Sequence, residues 1–137
     1  MKNDIIKGII YYIEKHLEGD LSLDRIAEDL NYSKFYIARI FSEKTGGTVY
    51  KYIQGRRLTI AAYKLVKTNK SIIEIAYEAH YSSQQAFTLA FNQLYSCSPQ
   101  AYRKKGLFYP KQLKIDMKSS QFIISYRECL VGGKIAA

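Results

Sequence analysis

Apolar residues recur at helical spacing from the start of the chain. Ile5, Ile6, Ile9, Ile10, Ile13 and Leu17 fall on one face, which predicts an amphipathic helix over about 3–17, closed by Gly19-Asp20. Ser22 is an N-cap for a short helix over 23–30, although Arg25 stands where a capping box carries an acid. Asn31-Tyr32 makes a tight turn, and Ser33 caps a third helix that faces inward through Ile37, Ile40 and Phe41. Gly46-Gly47 stops that helix, and Thr48 opens a long one reaching about Thr68, with Val49, Ile53, Leu58, Ala61, Ala62 and Leu65 as its apolar positions.

The pattern then returns. Ser71 caps a helix carrying Ile72, Ile75, Ala76 and Ala79, and Ser82 or Ser83 opens another with Phe87, Ala90, Phe91 and Leu94. Ile26-Ala27 matches Ile75-Ala76, Tyr32-Ser33 matches Tyr81-Ser82, Phe41 matches Phe91, Thr48 matches Ser98 and Tyr52 matches Tyr102. The offset grows by one along the match, so one extra residue sits in the second turn. A solenoid needs about three or more repeats to close its core. Two copies fit a duplicated helix-turn-helix better, with a short helix, a tight turn and a second helix crossing the first.

Past Tyr102 the period changes. Arg103-Lys104-Lys105-Gly106 is a basic break. Leu113, Ile115 and Met117 then alternate with Lys114, Asp116 and Lys118, and Phe122, Ile124 and Tyr126 alternate with Ile123, Ser125 and Arg127, around the Ser119-Ser120 turn, which predicts a β-hairpin. The fold class expected is mainly α, with seven helices in two helix-turn-helix subdomains joined by a long linker helix, and a short C-terminal β-hairpin-like tail.

Charge sharpens this picture. The 137 residues hold 21 Lys and Arg against 12 Asp and Glu, a net +9 that favours a polyanionic partner. The excess is uneven. Residues 31–70 carry nine basic residues and one acid, whereas residues 71–102 carry no Lys or Arg. The block of Lys34, Arg39, Lys44, Lys51, Arg56, Arg57, Lys64, Lys67 and Lys70 lies within helical sequence, which predicts a contiguous cationic surface. No apolar run approaches the ~20 residues of a membrane helix, and the N-terminus lacks the apolar core of a signal peptide. Cys97 and Cys129 form no close pair, and His16 and His80 are far apart. The expectation is therefore a reduced, cytoplasmic protein with no disulfide framework, metal site or cofactor. Paired catalytic carboxylates, a Ser/His/Asp set and a glycine-rich phosphate loop are all missing, which excludes an enzyme reading.

Two strings carry a family resemblance: Leu21-Ser-Leu-Asp-Arg-Ile-Ala-Glu followed by Tyr32-Ser-Lys-Phe-Tyr-Ile-Ala-Arg-Ile-Phe, and Ile72-Ile-Glu-Ile-Ala followed by Tyr81-Ser-Ser-Gln-Gln-Ala-Phe, Phe91 and Ser98-Pro-Gln-Ala-Tyr-Arg. Over roughly residues 5–103 the chain resembles the AraC/XylS transcriptional regulators, and within them the MarA, SoxS and Rob group. The resemblance implies a DNA-binding domain over 1–106, with helix-turn-helix units at about 22–45 and 71–94 and a linker helix at about 48–68. It implies a monomer on double-stranded DNA, reading two adjacent major grooves and recruiting RNA polymerase as an activator. The linker length suits this role: it would span roughly 30 Å at about 1.5 Å per residue, against about 34 Å between adjacent grooves. Residues 107–137 look like the opening of a GyrI-like effector domain, whose small-molecule effector the sequence does not identify.

Residue by residue, the family's base-reading positions carry over to Phe35 and Arg39 on the third helix, with Ala38 in place of a long polar residue often found there. On the sixth helix they carry over to Gln84, Gln85 and Thr88, with Leu89 where relatives often have Arg. Arg39 can donate to guanine O6 and N7 together, Gln can pair with adenine, and Phe35 can meet a thymine methyl. Ser33, Lys34, Lys44, Lys51, Arg56, Ser82 and Ser83 are the expected phosphate contacts. The competing readings are a fragment of a ligand-responsive regulator with a truncated effector domain, or a non-catalytic module for an effector or anionic lipid.

Overall fold

The computed structural model describes residues 2–116. Among them are seven helices: α1 (Lys2–Lys15), α2 (Leu23–Leu30), α3 (Lys34–Thr45), α4 (Val49–Lys67), α5 (Ile72–Glu78), α6 (Gln84–Tyr95) and α7 (Pro99–Lys105). The helix starts follow the caps. Ser22, Ser33, Ser71, Ser83 and Ser98 each accept the backbone N–H three residues on, and Thr48 does the same for Lys51. Each such bond satisfies a donor that the first helical turn leaves open. At α5 Glu74 reaches back to the Ser71 N–H and completes a capping box.

The chain forms two compact units, residues 2–54 with 114–116 and residues 55–113, and α4 runs through the division. In the first unit α1 lies against α2 and α3. Ile6, Ile9, Ile13, Ile26, Ile37, Ile40 and Phe41 are buried there. The Tyr52 ring packs 5.8 Å from Phe41, while its hydroxyl donates to Glu14 Oε2 at 3.0 Å.

In the second unit Leu58, Ala61, Ala62 and Leu65 of α4 share a core with Ile75, Ala76, Phe87, Phe91, Tyr95 and Tyr102. Phe91 stacks on Tyr95 at 4.6 Å, and Tyr102 meets Tyr95 edge-on at 4.9 Å. Burial pushes the Tyr95 hydroxyl's pKa far up. The Arg103 guanidinium donates to the carbonyls of Leu65 (2.8 Å) and Lys70 (2.6 Å), closing the C-terminal end of α4 where cations are favoured.

Residues 107–116 overturn the hairpin expectation as far as they go. The alternation places Leu113 and Ile115 on one strand face, but Ile115 is buried while Leu113 is half exposed. Among the described residues their segment has no strand partner: the Ile115 N–H donates to Tyr52 Oη at 3.2 Å and the Gln112 N–H to Thr59 Oγ1 at 3.0 Å. Side-chain oxygens take the N–H groups that a ladder would have used. Among the described residues the fold is all-helical. The remainder of the predicted hairpin, including Phe122, Ile124 and Tyr126, lies outside them, as does most of the proposed effector segment.

Gln112 is fixed from three sides within its unit. Its carbonyl accepts from Arg56 at 3.0 Å, its N–H meets Thr59, and its side chain lies flat on Gly55. A Cβ on Gly55 would stand 2.9 Å from Gln112 Cβ, so only glycine permits this approach in the middle of α4.

Candidate nucleic-acid interface

The two crossing pairs, α2 with α3 and α5 with α6, are built alike. α3 and α6 are each 12 residues long and start 50 positions apart, while α2 and α5 start 49 apart. The extra residue lies in the second turn. Asn31 and His80 are the matching left-handed residues, at φ 63° and 67°; Tyr32 and Tyr81 follow; then Ser82 is additional before the true cap, Ser83.

Each second helix divides into a buried and an outward face. On α3, Ile37, Ile40, Phe41 and Thr45 are buried, leaving Lys34, Phe35 and Arg39 outward, with Ala38 between them half-buried. Phe35 is 77% exposed, too open to be a core aromatic. On α6, Phe87, Phe91 and Tyr95 are buried, leaving Gln84, Gln85 and Leu89 outward and Thr88 half-buried. Thr88 and Gln84 line a small cleft with Ile72, Ser98, Pro99 and Gln100. The expected base-reading residues of each unit thus share one helix face.

On α3 the outward side chains have neighbours that orient them. The Arg39 guanidinium sits 5.5 Å from the Tyr36 ring centre, and Tyr36 in turn packs on Tyr32 at 5.3 Å. Lys34 Nζ lies 5.7 Å from the Phe35 ring and 3.4 Å from Asp24 Oδ1. These exposed contacts are worth little as stability, but they narrow the positions the cations sample. α6 contains no charged residue.

The expected phosphate contacts divide into two groups. Lys34 and Lys51 are exposed, Lys44 is half-buried, and Ser82 is exposed. Ser33 and Ser83 spend their hydroxyl oxygens on helix caps, but each hydroxyl hydrogen stands at a helix N-terminus where an anion is favoured. Arg56 is different. It is half-buried and directed at the Gln112 carbonyl. Lys64 and Lys70 also turn away from the expected cationic surface, holding the Glu78 carboxylate at 2.8 and 2.7 Å and lowering its pKa. The basic block is therefore not one continuous surface: Arg56, Lys64 and Lys70 are turned to structural partners within their own unit. Sequence reasoning also passed over Tyr36, whose ring supports Arg39. Its signal was the spacing from Tyr32 and to Arg39, which places neighbours on a helix.

Comparison with known proteins agrees with this duplication. Residues 17–105 match the model of a helix-turn-helix domain family. The chain is 40% identical over 104 residues to the transposon Tn10 TetD protein of Escherichia coli, covering 76% of this chain and 75% of TetD. It is 37% identical over 101 residues to the regulatory protein SoxS of Escherichia coli, covering 74% of this chain and 94% of SoxS. It is 33% identical over 120 residues to the transcriptional regulator Rob of Salmonella typhimurium, covering 88% of this chain but 42% of Rob. Among solved structures, the C-terminal domain of AraT, a response regulator from Geobacillus stearothermophilus, superposes with a TM-score of 0.72 at 32% identity, over 77% of this chain and 88% of that one.

Proposed function

Because the chain belongs to the AraC/XylS family of helix-turn-helix transcriptional regulators, in the MarA, SoxS and Rob group, we propose that it binds DNA as a monomer, with α3 and α6 entering adjacent major grooves. The observation that carries this reading is the equivalence of the two outward faces, Phe35 and Arg39 on α3 and Gln85 and Leu89 on α6, each opposite a buried, mainly apolar face. Two readers in one chain let a single molecule do what dimeric regulators do with two.

Arg39 donates its fork to guanine, Phe35 covers a thymine methyl, and Gln85 pairs with adenine, while Gln84 and Thr88 flank it. Lys34, Lys44 and Lys51 neutralise phosphates, and Ser33, Ser82 and Ser83 present donors to phosphate at the helix entrances. Arg56 is not among the proposed phosphate contacts, because it donates to the Gln112 carbonyl. No residue is assigned a catalytic role. The partner implied beyond DNA is RNA polymerase, the site of action is the cytoplasm, and activation is the direction of control.

Selection of bound duplexes from a random pool tests the reading. The expected result is one enriched site with two conserved blocks about one helical turn apart. Affinity for anionic vesicles exceeding affinity for every duplex would instead favour a lipid-binding module.

A further inference from the structure

Leu89 is the outward residue of α6 that the duplication singles out. It lies 50 positions after Arg39, on a helix whose own start is shifted by the same 50. Its side chain is 63% exposed. Its neighbours Ala90 and Leu94 pack against the unit's core, and Leu89 is not among the apolar residues that do. Its exposure is therefore not spill-over from the core. It stands one helical turn beyond Gln85, on a face without any charge.

We propose that Leu89 is a specificity-determining residue that reads the 5-methyl group of a thymine in the half-site bound by α6. The inference rests on the DNA-binding reading above and deepens it. In the major groove only thymine offers an apolar group; guanine offers two acceptors, cytosine an amino donor, and adenine one of each. Leucine pressed against any of those strips water from polar groups and returns no hydrogen bond. Against thymine it buries a methyl instead. With Gln85 suited to adenine one turn earlier, the neutral face of α6 fits an A·T-rich half-site, whereas Arg39 gives α3 a guanine. The two halves of the operator differ in chemistry, and the chain's orientation on DNA is thereby fixed.

The test uses the full chain and the duplex selected from the random pool. Each thymine is replaced in turn by deoxyuridine, which removes the 5-methyl and keeps the base pairing. The expected result is, besides the thymine met by Phe35, one thymine in the α6 half-site whose replacement weakens the wild type about three- to fourfold, the size for burial of one methyl. Leu89→Ala binds the thymine and uracil duplexes equally at that position, while the methyl dependence due to Phe35 persists. Leu89→Arg moves the preference at that pair towards G·C and steepens the salt slope by about 0.9. The inference is overturned if no methyl effect disappears in Leu89→Ala, or if Leu89→Arg keeps the wild-type preference. A wild type that selects no duplex at all would instead sink the DNA-binding reading beneath it.

Discussion

Arg39 and Gln85 show how unlike the two reading helices are at the scale of single side chains. Arg39 is a planar cation steadied by the Tyr36 ring, and a charged donor makes stronger hydrogen bonds than a neutral amide. Arg39→Ala is expected to cost about 1–3 kcal/mol of binding and to relax preference at one base pair. Gln85→Ala should cost less, since α6 has no cation beside it. Titrations of both variants on one selected duplex check this, and an equal or larger loss for Gln85 would refute the asymmetry. Glu78 gives a second prediction at this scale. The hydrogen bonds from Lys64 and Lys70 hold its carboxyl below the ordinary value of 4.5. A depressed carboxylate stabilises the fold above its unfolded pKa and loses that contribution as pH falls through the folded value. Denaturant unfolding of Glu78→Gln should therefore show a shallower loss of stability than the wild type below about pH 5. Parallel profiles would show that the clasp contributes nothing. Because the group is partly exposed, the difference will be small.

Two glycines place opposite demands on the helices that carry them. Gly8 lies within α1, and among the described residues a Cβ there meets nothing within 4 Å. Gly55 lies within α4 against Gln112. Gly8→Ala should stabilise the protein by about 1 kcal/mol through helix propensity alone. Gly55→Ala gains the same propensity but must push Gln112 off its seat, a strain of about 1–3 kcal/mol, so it should lower the melting temperature. Thermal unfolding of the two variants settles the contrast. What the sequence made legible at this scale was local. Caps, stops and inward positions are decided by neighbours within a turn or two, and Ser22, Ser33, Thr48 and Ser71 all begin helices as read. The choice between Ser82 and Ser83 was open because both residues can cap. Distant partners were not legible. Nothing near Arg56 announces Gln112, and nothing near Ile115 announces the Tyr52 hydroxyl. Alternation over a few residues identifies a half-buried segment, but a strand needs a partner strand, and among the described residues there is none. The outward face of α3 and of α6 was legible because a helix's buried side defines its outward side. Which outward residues carry structural partners was not.

For the whole molecule, charge distribution and stoichiometry are the quantities to measure. Lys34, Arg39, Lys51 and Lys67 are exposed within residues 31–70, and each phosphate neutralised adds about −0.9 to the slope of log affinity against log salt. Sedimentation of the protein with a short selected duplex should give one chain per duplex; two chains would refute the monomer reading. The duplicated helix-turn-helix also has a consequence for how a promoter responds as the protein accumulates. When two readers must first meet by association, occupancy rises with the square of a dilute subunit's concentration, and a threshold appears. On the monomer reading proposed above, peptide bonds join the two helix-turn-helix units, so no association precedes recognition and the second contact is made from within the same molecule. Occupancy then follows the first power of concentration. A cell holding twice as many chains fills nearly twice as many weakly occupied sites, so the output is set by synthesis and removal of the chain and rises without a threshold.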